Sequence, residues 1–186
     1  MRSALVGSLL AAIAVFIWGF LFWNVFPFRN AVFTPVADER GLAQELGKHL
    51  SSSGAYSIPD LRSSPDQKNF VDNLGSGPIA EILYEKEGAP PVSGGRLLGG
   101  FIHMLLSALL MALLLRRALP QLGSYGSRAS FVVLAGLAGA FFAHLGNPIW
   151  FHQPWNYHVL KMVYDVTCWA VTGLILARFV RPAAAR

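Results

Sequence analysis

Charge is scarce in this sequence, and long stretches contain none at all. Only 13% of the residues are charged, whereas 54% are hydrophobic, a balance that average soluble domains do not show. Each hydrophobic run is close to the roughly 20 residues that a helix needs to cross a bilayer core. Because backbone polar groups in lipid must be satisfied within the segment, the runs predict four transmembrane helices. They cover residues 4–26, 97–115, 131–150 and 159–180.

Cysteine is almost absent, since Cys168 in the last hydrophobic run is the only one. One cysteine excludes a disulfide framework, a CxxC zinc site and a CxxCH haem attachment. The sequence also lacks HExxH or any other fixed metal-ligand spacing. No paired carboxylates and no nucleophile–base pair stand out. An enzyme is therefore the less favoured class.

Acidic residues are missing from both ends of the chain and from the connection at 116–128. Arginines alone mark these three places, whereas residues 38–87 hold nine of the ten acids. By the positive-inside rule, both termini and the 116–128 loop are predicted to be cytoplasmic, so residues 27–96 face outward. The net charge of +5 thus reflects topology, and nucleic acid is not an expected partner. The arginines are Arg2, Arg116, Arg117, Arg128, Arg178, Arg181 and Arg186.

The predicted fold is an all-α membrane protein with four transmembrane helices, both termini inside, and a small α+β extracytoplasmic domain between helices one and two. Residues 1–26 form helix one, whose apolar run is too long for a signal peptide and predicts an uncleaved anchor. Residues 27–96 form the outer domain and its linker. Residues 97–186 form a three-helix bundle with an outward aromatic loop at 146–158.

Within the outer domain, a helix is expected to start with Thr34 as its cap and Pro35 at its first position. A capping box at 64–67 predicts a second helix that ends near Gly75. Strands are expected at 55–59 and 81–86. A unit of this size buries little core on its own.

Small residues at four-residue spacing mark faces where helices approach closely in lipid. Helix one has two such pairs, Gly7/Ala11 and Ser8/Ala12. The third helix has two such faces, which predicts a central place in the bundle, and the short loop before it predicts that helices two and three are neighbours. These two faces are Ala135, Gly139 and Ala143, and Gly136, Ala140 and His144.

Four histidines and one acid are expected near the outer ends of the helices. His103, His144 and Asp165 each lie about six residues into a helix, or roughly 9 Å below the outer interface. His152 and His158 fall just above them in the aromatic loop. Ionisable residues at membrane depth by default suggest a functional site.

Several chemistries fit these residue types. His103 and His144 suit axial ligation of haem b, whereas His144, His152, His158 and Asp165 suit a divalent metal. A proton relay through His144 and Asp165 is equally allowed. Lys161 lies one turn before Asp165, so these two side chains also suit simple mutual neutralisation. Histidines and aromatics near helix ends are also typical of an interfacial belt.

Short motifs in the first half of the chain resemble a family of small bacterial inner-membrane proteins. The motifs are Trp18 to Trp23, Pro27 and Asn30, 54–59 reading GAYSIP, 77–80 reading GPIA, and Gly88. Members have one anchor helix, a short exported segment and a hydrophobic C-terminal bundle. The resemblance implies this topology and a bacterial setting, with no activity and no catalytic residues.

Two functions follow as hypotheses. The first is a non-enzymatic accessory or assembly subunit of a bacterial membrane complex, with the lipid bilayer and other membrane subunits, or copies of itself, as partners. The alternative is a metal- or haem-binding membrane protein with an outer-leaflet His/Asp site. A membrane-embedded hydrolase or transferase ranks third, and transport by four helices would require an oligomer.

Overall fold

The computed structural model describes residues 2–182, so the predicted cytoplasmic Arg186 lies outside the described residues. Within residues 2–182, four helices are long and apolar enough to cross a membrane, as predicted for a multi-pass membrane protein. They are α1 (Arg2–Phe20), α4 (Gly94–Ala118), α5 (Tyr125–Phe151) and α6 (Trp155–Phe179). Residues 35–91 form one compact unit, and the rest of the described chain forms the other.

The ends of the long helices have identifiable causes. A π-helical turn, Leu21–Val25, extends α1, and Pro27 then opens a short 3₁₀ turn. A reciprocal capping box between Ser124 and Ser127 starts α5. The helix therefore begins six residues before the predicted 131, because the polar cap and not the first apolar run sets its start.

The aromatic loop predicted at 146–158 is much shorter in the structure. Helix α5 continues through Pro148 to Phe151, and α6 begins at Trp155, so three residues connect them. Proline usually ends or kinks a helix because it lacks an N–H and its ring crowds the preceding turn. Here Pro148 is buried inside α5, and His152 in a left-handed conformation ends the helix.

The four long helices pack in the order α4, α1, α6, α5. Helix α1 contacts both α4 and α6, α6 also packs along α5, and α4 barely touches α5. This corrects two expectations, because α5 lies at an edge and is not the main neighbour of α4. The central places go to α1 and α6. The small residues of α1 allow this, since Gly7, Ser8, Ala11 and Ala12 are all buried.

The hydrophobic core lies near one end of the bundle, where all four long helices meet. That end holds the start of α1 and the end of α6. Helices α4 and α5 make few contacts with each other. The core consists of Ala4, Met111, Ala112, Leu115, Val132, Leu176 and Val180.

The two small-residue faces of α5 have different surroundings. Gly136 and Ala140 are buried, and a Cβ atom at Gly136 would lie only 2.1 Å from Cγ of Trp169 on α6. Gly139 and Ala143 are exposed. The first face therefore packs on α6. The second is open at Gly139 and Ala143, whereas its first member, Ala135, packs against the hydrophobic core.

The unit at 35–91 has the predicted helix–strand–helix–strand order: α2 (Glu39–His49), β1 (Gly54–Ile58), α3 (Gln67–Ser76) and β2 (Ala80–Tyr84). The two strands pair antiparallel, with Tyr56 opposite Ile82. Asp38 caps α2 and Asp66 caps α3, in place of the predicted Thr34 and Ser64. Carboxylates suit these positions because they face the positive end of the helix dipole.

Residues 27–34 belong with the long helices and not with the outer domain that was predicted at 27–96. The ring of Phe28 packs on Phe22 at a centroid distance of 4.7 Å, and that of Phe33 packs edge-on to Tyr157 of α6 at 5.5 Å. Aromatic contacts of this kind stabilise beyond simple burial. The second compact unit accordingly starts at Pro35.

The surroundings of the α5 glycines predict different effects of the same substitution. Gly136→Ala forces Trp169 to shift and should destabilise the protein by about 1–3 kcal/mol, the usual cost of overpacking. Gly139→Ala meets nothing within 4 Å and should be neutral or stabilising, because alanine is the better helix former. Thermal unfolding in detergent measures both, and equal melting temperatures for the two variants would contradict the packing described here.

The Asp60–Arg62 pair predicts a measurable titration. Side-chain hydrogen bonds from Arg62, at 3.0 Å to Oδ1 and 2.6 Å to Oδ2, and its backbone N–H lower the pKa of Asp60 from 3.8 to about 2. Because the pKa of Asp60 is lowered in the folded state, its contacts with Arg62 stabilise the fold at any pH above the ordinary Asp pKa. This stabilisation is lost as the pH falls through about 2. Arg62→Gln should raise the pKa towards 3.8, only part of the way because the backbone bond remains. Carboxyl NMR against pH measures the shift, and an unchanged pKa would contradict the pairing.

Candidate functional site

His144 on α5 and Asp165 on α6 form a hydrogen-bonded pair. Nε2 of His144 donates to Oδ2 of Asp165 at 2.8 Å, and the side chains are 12% and 37% exposed. Because His144 continues the Gly136/Ala140 face, the close packing of this face on α6 carries the imidazole to Asp165. His144 and Asp165 were predicted to lie at the same depth in the membrane, and the structure brings these two side chains together.

Lys161 does not neutralise Asp165, which was one of the predicted alternatives. Its Nζ lies over the ring of Tyr157, 5.2 Å from the centroid, in a cation–π contact. Within residues 2–182, His144 is the side chain that hydrogen-bonds to Asp165. The acid of α6 therefore depends on another helix for its hydrogen bond.

A cavity of about 260 Å³ lies among α1, α4 and α6, and His103 and Asp165 both line it. The wall on α1 is made of small apolar side chains, whereas α4 and α6 supply hydroxyl, thiol, imidazole and carboxylate groups. The structure thus places His103 and Asp165 on the same cavity. The lining residues are Ala11, Ala12, Val15, His103, Met104, Ser107, Ala108, Tyr164, Asp165, Cys168, Trp169 and Thr172.

Polar and aromatic contacts that the sequence reading missed hold α1 to α6 beside this cavity. Nε1 of Trp18 donates to Oγ1 of Thr167 at 2.9 Å. The ring of Phe22, which is almost completely buried, packs on Trp18 and Tyr164. No spacing in the sequence indicates that a tryptophan of α1 meets a threonine of α6.

The other two predicted metal ligands have separate structural roles. His158 is buried at the start of α6, and its Nε2 donates to Oε1 of Gln153 at 2.5 Å. His152 is exposed and ends α5. Among residues 2–182, no group of three or more His, Cys, Asp or Glu side chains is arranged to hold a metal ion. Of the predicted set His144, His152, His158 and Asp165, the structure joins His144 and Asp165 in one hydrogen-bonded pair, and metal binding stays a prediction.

The two predicted haem ligands have different surroundings in the structure. His103 lines the cavity, but His144 is not among its lining residues, so the two do not face each other across it. Nε2 of His144 already bonds to Asp165. The arrangement places a hydrogen-bonded imidazole–carboxylate pair beside the cavity, and haem ligation stays a prediction.

Comparison with protein-family models, with curated proteins and with solved structures finds no match to this chain. The resemblance to small bacterial inner-membrane proteins stays a prediction. The chemistry must therefore be argued from the residues themselves: a carboxylate held by an imidazole, beside a half-polar cavity within the apolar helices.

Double-mutant cycles test which partner Asp165 has. Removing His144 and Asp165 singly and together should give a coupling free energy of about 1 kcal/mol, as expected of a hydrogen bond to a partly exposed charge. The cycle of Lys161 with Asp165, by alanine substitution throughout, should give a coupling near zero. Unfolding in detergent supplies the free energies. The reverse order of the two couplings would contradict the pairing.

Proposed function

We propose that the protein is a non-enzymatic accessory or assembly subunit of a membrane complex in the bacterial inner membrane. The observation that carries this proposal is the open small-residue face of α5. Gly139 and Ala143 lie exposed on an edge helix that packs closely along only one neighbour. The parallel face of the same helix, Gly136 and Ala140, is already used to bind α6.

Packing in lipid favours another helix on this face. Lipid chains and apolar side chains are equally hydrophobic, so helices associate through close packing and interhelical contacts. A small-residue face leaves room for a partner helix to pack closely, as Gly136 leaves room for the side chain of Trp169 in this protein. Beside it, Phe142 is 88% exposed and offers a large ring to a neighbouring helix.

The expected orientation of the subunit follows from its charges. With the arginine-rich ends and the 116–128 connection in the cytoplasm, the unit at 35–91 lies on the outer side of the membrane. Its apolar side chains include Leu61, Val71 and Leu83, which are exposed, and Leu50 is its one buried residue among those described. A unit with so little buried core supports a role in binding partners more than one in catalysis.

Adding bulk to the open face tests the proposal. Gly139→Leu should remove the protein from its complex, because the side chain prevents close approach of a partner helix. Gly99→Leu adds the same bulk to α4, where nothing lies within 4 Å, and should leave the complex intact. Crosslinking in native membranes followed by native gel electrophoresis measures both.

Two differently tagged copies of the chain distinguish self-association from binding to another subunit, and either result supports the proposal. Wild-type protein that crosslinks to nothing and migrates only as a monomer would overturn it. So would loss of the complex in both leucine variants, because the effect would then not be specific to the α5 face.

A further inference from the structure

The cavity is continuous with an apolar groove on its α4 side. The groove has a volume of about 300 Å³ and is lined by Ser107, Leu110, Met111, Leu114 and Trp169. Ser107 and Trp169 also line the cavity. The two spaces therefore adjoin, and the groove lies on the side where α4 makes little contact with α5.

The two spaces differ sharply in chemistry. The cavity has His103, Asp165 and Thr172 on its walls, whereas the groove is bordered almost entirely by leucine, methionine and tryptophan. A cavity with several polar groups on its walls, adjoining an apolar groove within helices apolar enough to span a bilayer, matches a molecule with a small polar head and one hydrocarbon tail.

The charges around the cavity define what the head must be. No lysine or arginine is among the lining residues, and Lys161 lies over Tyr157 instead. Oδ2 of Asp165 accepts one hydrogen bond from His144. A carboxylate in an apolar setting requires further donors, so a phosphate or carboxylate head would be repelled and a donating head attracted.

His103 supplies a second polar contact across the same space. Among residues 2–182, no hydrogen bond is formed by its imidazole, which belongs to a different helix from Asp165. An imidazole both donates and accepts, so it suits a second hydroxyl or amine group of the same head. A volume of about 260 Å³ accommodates one ring or one short polar head.

We propose that the cavity and the groove bind one molecule of a single-tailed lipid whose head donates hydrogen bonds to Asp165 and whose tail lies along Leu110 and Leu114. Two natural head groups share this chemistry: the hydroxyls of an isoprenoid quinol and the ammonium of an alkylamine. This site is distinct from the α5 face on which the accessory role rests, so either can fail without the other.

Equilibrium binding to the full-length protein in lipid nanodiscs tests the proposal. The probes are a decyl-substituted hydroquinone and dodecylammonium, each added alone, with empty nanodiscs as the blank. Saturable binding at one molecule per chain by either probe is expected, and the probe that binds identifies the head. Saturable binding of neither probe would overturn the proposal.

Two variants locate the binding. Asp165→Asn keeps the size of the side chain but removes its charge, and should weaken binding by about tenfold or more. Ser107→Leu adds bulk where cavity and groove meet, and should abolish binding. Gly99→Leu adds bulk on the same helix outside both spaces and should bind like wild type.

The variants also separate a specific site from partition into the bilayer. If Asp165→Asn disturbs folding, as circular dichroism would reveal, Ser107→Leu alone decides the matter. Binding of wild-type strength in both Asp165→Asn and Ser107→Leu would show that the probe lies elsewhere and would overturn the proposal.

Discussion

The close approach of α1 to two other helices is the contact on which the rest of the membrane-spanning unit depends. A Cβ atom at Gly7 would lie 2.8 Å from Cβ of Phe179, so only glycine allows this distance to α6. On the other side, Oγ of Ser8 donates to the carbonyl of Ala108 on α4 at 3.3 Å. One helix therefore presents two small-residue surfaces, and in lipid such surfaces take the role that hydrophobic burial has in water.

The cavity follows from the same arrangement. Ala11, Ala12 and Val15 continue the small-residue surface of α1 and form one cavity wall. The four helices meet around Leu115, Val132 and Leu176 at one end, but their side chains do not fill the space between α4 and α6 nearer the other end. The short side chains of α1 thus allow close helix packing in one place and leave the cavity open in another. The polar side chains of α4 and α6 lie along this cavity.

Much of the secondary structure could be predicted from the sequence, because hydrophobic runs, caps and strand patterns are local signals. The four long helices and both strands of the outer unit lie close to their predicted positions. The neighbours of each helix could not be predicted, since small-residue spacing indicates a packing face but not the partner. Gly136 and Gly139 lie within one helical turn of each other, yet Gly136 is buried against Trp169 and Gly139 is exposed.

For the polar site too, the sequence predicts features within one helix but not the contacts between helices. Counting residues from the helix ends gave the depth of His103, His144 and Asp165, and Asp165 does bond to His144 and share a cavity with His103. Depth says nothing about the rotation of each helix. This is why Lys161, one turn from Asp165, contacts Tyr157 instead, and why Pro148 could remain inside α5 where its residue type indicated a loop.

The hydrogen bonds of Arg128 have a consequence for the order in which the chain acquires its final form. This buried arginine donates from Nε to the carbonyl of Ala177 at 3.1 Å and from Nη1 to that of Gly123 at 3.0 Å. Ala177 lies near the end of α6, 49 residues later in the chain. The carbonyl of Gly123 is made before Arg128 and is available to it at once, whereas the bond to Ala177 can form only after α6 is made. The same residue therefore makes a local bond first and later links the start of α5 to the end of α6.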